Sequence, residues 1–378
     1  MRILIDLRAL MSGKISGVEV YIQSMVEAIF EMDSQNEYIL WTNNYKTVKI
    51  QDLLTHFPNV SLIQTRIPNK LFNLSLSLFR WPKLDRFIEK KTGKKIDALW
   101  VPDPRPSPVS HHCKKIITFH DLSFEDFKHT FTFKTRLWHK LLRPKKEALE
   151  ASQIIAVSDF TKTQLIEEYA ISPESIKVVL EATPKSFRTL DLPKGFELIQ
   201  RKYKLPQEYF LCLSTLEPRK NSAGIIQAFK AWQEETHAAV HLVVAGKHYP
   251  HIFSKTELQT HPKIHFTGFI DEADKALLYQ HAQGFIYTSF YEGFGLPILE
   301  AMTCGTPVIT SNGTSMPQVA GNAALLVNPN DPQDLKQAIH SLHRDEVLRK
   351  DLIQKGYENI KRFSWKTAAK GFLESLKE

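Results

Sequence analysis

"FYEGFGLPILEAMTCGTPVI", residues 290–309, sets two glutamates, Glu292 and Glu300, on either side of a Gly-x-Gly-x-Pro turn. Pro297 suits the first position of a helix, because its ring presets φ and the N–H it lacks has no intrahelical partner there. Gly305 followed by Pro307 is a stop signal, so the pattern predicts a helix over 297–304. Gly293 and Gly295 fall in the turn that enters it, where the backbone can approach a ligand and the first helical N–H groups attract anions. Glu300 is expected in the first turn and Glu292 in the loop before it, so both can face one ligand. A carboxylate is a poor partner for phosphate and a good acceptor for sugar hydroxyls. Phosphate donors beside hydroxyl acceptors point to a nucleotide-sugar site. The plain alternative is a tight turn whose Glu300 complements the helix dipole.

Working outward, short apolar runs alternate with helical patterns along the whole chain. Strands are expected at 2–7, 37–42, 60–65, 97–101, 115–119, 154–157 and 176–180. A second series follows at 209–214, 240–245, 263–267, 284–288, 307–310 and 324–327. Val- and Ile-rich runs between amphipathic helices imply parallel sheets covered on both faces. A length of 378 residues favours two domains, and 181–209, with three prolines and no sustained period, reads as the linker. The expected α/β architecture is two Rossmann-like, doubly wound domains, 1–185 and 205–363, facing each other across a cleft. Ligands bind such sheets on the loops leaving the strands.

Composition narrows the function classes. With 43% hydrophobic and 24% charged residues the chain reads as soluble and globular. No run approaches the roughly 20 apolar residues of a membrane span. "MRILIDLRAL" breaks its apolar run with Asp6 and Arg8, so it reads as a strand and not a signal peptide. Cys113, Cys212 and Cys304 are odd in number and far apart, which favours unpaired thiols and a cytoplasmic setting. The net charge of +8 gathers in 86–95 and in the amphipathic stretch 133–149. There Leu137, Trp138, Leu141 and Leu142 lie among Lys134, Arg136, Lys140, Arg143, Lys145 and Lys146, a pattern suited to an anionic bilayer surface or simply to a solvated face. No module for nucleic acid accompanies the charge.

The loops after the strands carry the remaining chemistry. "SGVE" (16–19) fits a capping box, with Ser16 capping and Glu19 reaching back, and Gly17 offers a ligand close approach. His120 and Asp121 stand at a strand's carboxyl end, where a histidine can donate to a hydroxyl or to developing charge. Arg219 and Lys220 precede Asn221, expected to cap the next helix, and two cations at a helix start suit a diphosphate. Lys247 in "AGKHYP" repeats the theme. No Asp-x-Asp or other metal-ligand constellation occurs, so Arg219 and Lys220 are expected to neutralise the diphosphate without a metal or any other cofactor.

With these residues in place, "STLEPRKN", "IAVSDFTKTQLIEEY" and the long run from "GFIDEADKALLYQHAQ" to "GNAALLVNP" resemble the retaining family-4 (GT4) glycosyltransferases of the GT-B fold. The likeness spans nearly the whole chain and is densest over 209–332. "ITFHDLSFEDF" further resembles the mannosyltransferase-like branch that builds bacterial surface polysaccharides. The resemblance implies that Glu292 contacts donor-sugar hydroxyls, Glu300 the ribose, and the amides of Gly293, Phe294, Gly295 and Leu296 the sugar and phosphate. Arg219 and Lys220 would hold the diphosphate, Gly17 would lie near it, and His120 would approach from the other domain. A last helix over about 364–378 would pack back on the first domain. The sequence departs from the family pattern at Gln318 and Asn322, where acids are common, and at Glu19, where an arginine often stands. The implied activity is metal-independent, retaining transfer of a hexose to a glycan or lipid-linked acceptor, with GDP-mannose the first choice of donor, at the inner face of the membrane. Rival classes are a nucleotide-sugar epimerase, a phosphorylase, or a non-enzymatic basic protein binding membrane surfaces or nucleic acid.

Overall fold

The computed structural model describes residues 1–12, 17–44, 56–187, 195–247 and 261–377. These fall into two compact units. Unit 1 comprises Met1–Phe124, Phe133–Glu181 and Ser364–Glu378; unit 2 comprises Glu125–Thr132 and Ala182–Phe363.

Unit 1 carries β1 (Arg2–Asp6), β2 (Glu37–Asn43), β3 (Val60–Thr65), β4 (Ala98–Val101), β5 (Lys114–Phe119), β6 (Gln153–Ala156) and β7 (Ile176–Val178). All pair in parallel in the order β3-β2-β1-β4-β5-β6-β7. Unit 2 carries β8 (Tyr209–Leu213), β9 (His241–Ala245), β10 (Ile264–Gly268), β11 (Gly284–Tyr287), β12 (Val308–Ser311) and β13 (Ala324–Val327). Its parallel order is β10-β9-β8-β11-β12-β13. Every strand expected from the sequence is present. Central strands such as "ALWV" and "GFIY" are buried at each position, as two covered faces require.

The helices matter here for what they position. In unit 1, α1 (Gly17–Met32) buries Tyr21, Ile22, Met25 and Ile29, and α2 (Asn69–Leu78) and α3 (Phe133–Leu142) lie beside one another. The terminal helix Trp365–Ser375 packs on α1, with Trp365 edge-on to Tyr21 at 5.8 Å and Phe372 4.6 Å from Trp100. Unit 2 adds α4 (Phe196–Tyr203), α5 (Ser222–Thr236), α6 (Lys275–Gln280), α7 (Leu296–Thr303) and α8 (Met316–Ala320).

Two expectations are corrected. The N-terminal part of unit 1 closes at Glu181, short of the expected 185, and residues 125–132 group with unit 2. The segment read as a plain linker contains α4, a helix that buries Ile199 and closes on Lys204 in the left-handed region. It spans two turns between Pro193 and Pro206, too short for a period to register in the sequence. Ser16, the expected cap of α1, lies outside the described residues, and Gly17 is the first residue of that helix.

In both sheets the strand order reverses once, between β1 and β4 and between β8 and β11. Neighbouring strands there send their chains to opposite sides, which opens a crevice at their carboxyl ends. In unit 2 the two loops at that point are Ser214–Asn221 and Thr288–Gly295.

Candidate active site

The first loop is a tight turn. Lys220 N–H donates to Glu217 O (3.0 Å) and Asn221 N–H to Pro218 O (3.1 Å), closing a 3-10 turn over Pro218–Lys220. Asn221 adopts φ +57° at the start of α5, but its side chain does not cap the helix as expected. Its Nδ2 donates to Thr288 O (3.1 Å) and Pro329 O (2.9 Å), which ties this loop to those after β11 and β13. Phe290 N–H donating to Arg219 O (2.8 Å) is a second tie. Behind the loop, Gly246 sits at φ +147°, and a Cβ there would meet Ser214 O at 1.7 Å, so only glycine lets the two strand ends close up.

The second loop enters α7 through Gly295 at φ +108°, with Pro297 in the first turn. Ser315 Oγ lies 2.9 Å from the Glu292 carbonyl and 2.7 Å from that of Phe294, so its one proton is shared between them. Thr310 Oγ1 donates to Tyr287 O (2.8 Å) and Ser311 Oγ to Ser289 O (2.6 Å). Buried hydroxyls from β12 and the loop after it therefore hold the backbone from 287 to 294 in one conformation. Phe294 and Leu296 are buried beneath it.

Three of the expected side chains converge between these loops. Glu292 accepts from Lys220 Nζ (2.6 Å) on Oε1 and from Arg219 Nη1 (3.0 Å) on Oε2. Tyr287 Oη donates to the same Oε1 (2.8 Å) and accepts from Lys220 Nζ (3.0 Å), while that ammonium lies 5.3 Å from the Tyr287 ring centre. Arg219 Nη1 also reaches Tyr291 O (3.1 Å), and its Nε pairs with Glu217 (2.8 Å). Burial would raise the Glu292 pKa, but the charges of Lys220 and Arg219 outweigh it and hold the carboxyl at about 2. The group is ionised at any physiological pH. The arrangement is a fixed carboxylate between two cations that keep 17% and 11% of their side chains exposed.

Glu300 differs from expectation. It lies in the second turn of α7, not the first, and is buried. Tyr279 Oη donates to its Oε2 (2.9 Å), and burial raises its pKa against the opposing charge of Lys275. Its partners come from α6 and not from the Arg219–Lys220 pair.

His120 and Gly17 belong to unit 1. His120 follows β5 with Nδ1 3.1 Å from Glu181 Oε1 and Nε2 2.9 Å from Pro102 O. Both ring nitrogens face acceptors, which favours the doubly protonated ring. Burial pulls its pKa down, yet Glu181 outweighs burial and raises it. Gly17 is exposed, and a Cβ there would meet nothing within 4 Å. Lys247 is exposed at the end of β9, and His248–Pro250 lie outside the described residues. Sequence reading missed Glu217, Tyr279, Tyr287, Lys275 and Ser315. Tyr287 alone left a local signal, as a phenol on the last residue of a buried strand next to a glycine loop.

Among the described residues one cluster of metal-ligating type occurs, Asp85, Glu89 and His112 in unit 1. It is a paired network in its own right: Ser110 N–H donates to Asp85 Oδ1 (3.0 Å), Ile96 N–H to Glu89 Oε1 (2.9 Å) and Arg86 to Glu89 Oε2 (3.0 Å). All three cysteines are free and buried. No helix among the described residues is long and apolar enough to cross a membrane.

Known proteins share this plan. Residues 196–359 match the family described as "Glycosyl transferases group 1", and residues 15–181 match "Glycosyltransferase Family 4". The "O-antigen chain mannosyltransferase B" of Escherichia coli is 32% identical over 271 residues, 70% of each chain. The "Serotype-specific mannosyltransferase WbdA" of the same species is 31% identical over 226 residues, 58% of this chain but 28% of that longer one. The crystal structure of Anabaena Alr3699/HepE in complex with UDP-glucose superposes with a TM-score of 0.70 at 17% identity, covering 100% of this chain and 99% of that one. The chain belongs to the family-4 glycosyltransferases, in their mannosyltransferase-like branch, and has their GT-B fold.

Proposed function

We propose that the enzyme moves a hexose, with mannose from GDP-mannose as the first candidate, from a nucleotide diphospho-sugar to a glycan or lipid-linked acceptor in cell-surface polysaccharide synthesis. The transfer retains anomeric configuration and uses no metal. The observation that carries the reading is the Arg219–Lys220–Glu292 constellation at the strand-order reversal of unit 2, beside the amide-bearing start of α7. The mannose assignment takes support from the E. coli mannosyltransferases, and the nucleotide diphospho-sugar from the UDP-glucose held by HepE.

Charge balance refines the roles. Two cations face two carboxylates, Glu217 and Glu292, so the cluster is close to neutral. A diphosphate gains from Arg219 and Lys220 only if Glu292 gives up at least one of its ion pairs. An ionised Glu292 freed in this way becomes an acceptor for hydroxyls of the sugar attached to that diphosphate. Ion-pair exchange thus assigns both halves of the donor at once.

In the transfer, the bond from the anomeric carbon to the diphosphate oxygen breaks while the acceptor oxygen approaches on the same face. The departing diphosphate oxygen takes the acceptor's proton, so no side-chain base is needed. Arg219, Lys220 and the amides of Gly293, Phe294, Gly295 and Leu296 stabilise the charge that develops on the leaving group. Glu300 would hold the ribose, and a protonated His120 would donate to the sugar by exchanging one of its present acceptors. The enzyme works on the cytoplasmic side, where nucleotide sugars are made.

The test is release of nucleoside diphosphate from GDP- and UDP-sugars in the presence of acceptor lipid extract and excess EDTA. Acceptor-dependent GDP release from GDP-mannose, undiminished by EDTA and giving a product of retained configuration, is expected. Release from none of the donors contradicts the reading, and a sharp loss with EDTA removes its metal-free part.

A further inference from the structure

Both acids that flank the glycine turn accept a proton from a buried phenol. Tyr287 Oη donates to Glu292 Oε1 (2.8 Å) and Tyr279 Oη to Glu300 Oε2 (2.9 Å). One ring joins the two phenols: Phe285 lies edge-on to Tyr279 at 5.0 Å and stacks on Tyr287 at 5.7 Å, inclined by 19°. Phe285 and Tyr287 stand two apart on β11, so the alternation of the strand puts both on one face of the sheet. None of the three residues is more than 4% exposed. Thr310 Oγ1, on the neighbouring strand β12, donates to Tyr287 O. An inner strand of the sheet, and not a loop, therefore carries this phenol.

The two contacts differ in one respect, since Tyr287 is shared with a cation. Lys220 Nζ donates to Tyr287 Oη (3.0 Å) as well as to Glu292 Oε1 (2.6 Å). An ammonium has three protons, so it can turn one towards a ligand and keep the phenol as its partner. The phenol's own proton has one direction to go. Burial and the charge of Glu292 hold the Tyr287 pKa well above the ordinary phenol value. Tyr287 thus donates to Glu292 throughout the physiological range and takes no proton from an acceptor.

Ion-pair exchange gives this contact its use. When a diphosphate draws Arg219 and Lys220, a buried carboxylate loses charge compensation and is pulled after the cations. Of Arg219, Lys220 and Tyr287, Tyr287 alone has no charge for the diphosphate to attract, and its ring is fixed in the stack. We propose that Tyr287 is a positioning residue: it keeps the Glu292 carboxylate in place while Arg219 and Lys220 turn to the diphosphate, so that the acid meets a sugar hydroxyl. The inference rests on the sugar-transfer reading above. Tyr279 holds Glu300 by the same bond with no lysine between them, so that acid has no exchange to withstand.

The experiment is calorimetric titration of the parent and of Tyr287→Phe with GDP-mannose and UDP-glucose, each set against its own nucleoside diphosphate. The variant keeps the ring and its packing, so its circular dichroism should match the parent's. Arg219 and Lys220 are untouched, so affinity for the free diphosphate should stay near parental. Affinity for the preferred donor should fall about tenfold, the worth of one hydrogen bond to a charged group. Adding Tyr287→Phe to Glu292→Gln should cost the donor nothing further, because a residue that acts through another has nothing left to act on. Parental donor affinity in Tyr287→Phe, an equal loss for donor and free diphosphate, or losses that multiply in the double variant would overturn the inference and leave the sugar-transfer reading standing. If the parent binds neither donor, that reading fails and this inference falls with it.

Discussion

Each sheet sets a guanidinium against a carboxylate at the point where its strand order reverses, and the two contacts are built differently. In unit 1, Arg8 grips both oxygens of Asp6 at 2.6–3.0 Å, reaches Asn73 and Pro106 O, and lies 4.8 Å over the Trp41 ring. Its side chain is 4% exposed and that of Asp6 not at all. In unit 2 the acid and its cations come from separate loops, and the cations stay partly open to solvent. The first contact joins residues two apart in sequence and closes on itself; the second bridges residues more than seventy apart and can be exchanged. One topology thus carries a closed, buried pair at one crevice and a partly open one at the other.

The sharpest way to break that contrast is Arg8→Ala. Removing one partner of a buried pair leaves Asp6 uncompensated and should cost about 3–5 kcal/mol of stability in denaturant unfolding. Turnover per folded molecule should stay near parental. A variant that melts normally but fails to transfer would make Arg8 part of the chemistry.

Arg219→Ala should behave in the opposite way. Lys220 still compensates Glu292 while buried Glu217 loses its Arg219 partner, so some stability is lost but the fold survives by circular dichroism, and turnover falls about 10²–10³-fold, typical of losing one preorganised charge-stabilising donor. Near-parental turnover would return Arg219 to the class of structural cations.

A smaller effect separates the two units by pH. Glu292 titrates at about 2 when folded against 4.5 ordinarily, so its stabilisation is complete above about 4.5 and fades as pH falls from there towards 2. The raised pKa of His120 works the other way: its contribution is complete below 6.5 and fades as pH rises through the folded value. Melting temperature against pH should lose its acid limb in Glu292→Gln and its upper limb in Glu181→Gln. Unchanged profiles would show that neither pair is coupled to folding.

Much of this was legible in the sequence. The strand positions follow from continuous Val- and Ile-rich runs, because parallel strands covered on both faces leave that mark wherever they occur. Arg219, Lys220 and Glu292 were legible as loop residues after strands, the place where doubly wound sheets bind ligands. What stayed hidden depends on side-chain direction. Asn221 reads as a helix cap until its amide is seen bonding Thr288 and Pro329 carbonyls across the loops. Glu300 reads as a first-turn acid if Pro297 is the first helical residue; the helix starts at Leu296, which moves Glu300 one residue further in, to the second turn. The exposed leucines of α2, Leu71, Leu74 and Leu78, were invisible for another reason: "NKLFNLSLSL" looks like an ordinary amphipathic segment, and only the fold shows which leucines have no cover.

The central claim is that Arg219, Lys220 and Glu292 together grasp a sugar-bearing diphosphate. Thermal shift with GDP-mannose, GDP and mannose tests it most directly, since a ligand that binds only the folded state raises the melting temperature by mass action. The account predicts a large rise with GDP-mannose, a smaller one with GDP, none with mannose, and loss of the rise in Arg219→Ala. A rise that persists undiminished in that variant, or no rise with GDP-mannose or any UDP- or ADP-sugar in the parent protein, would contradict it.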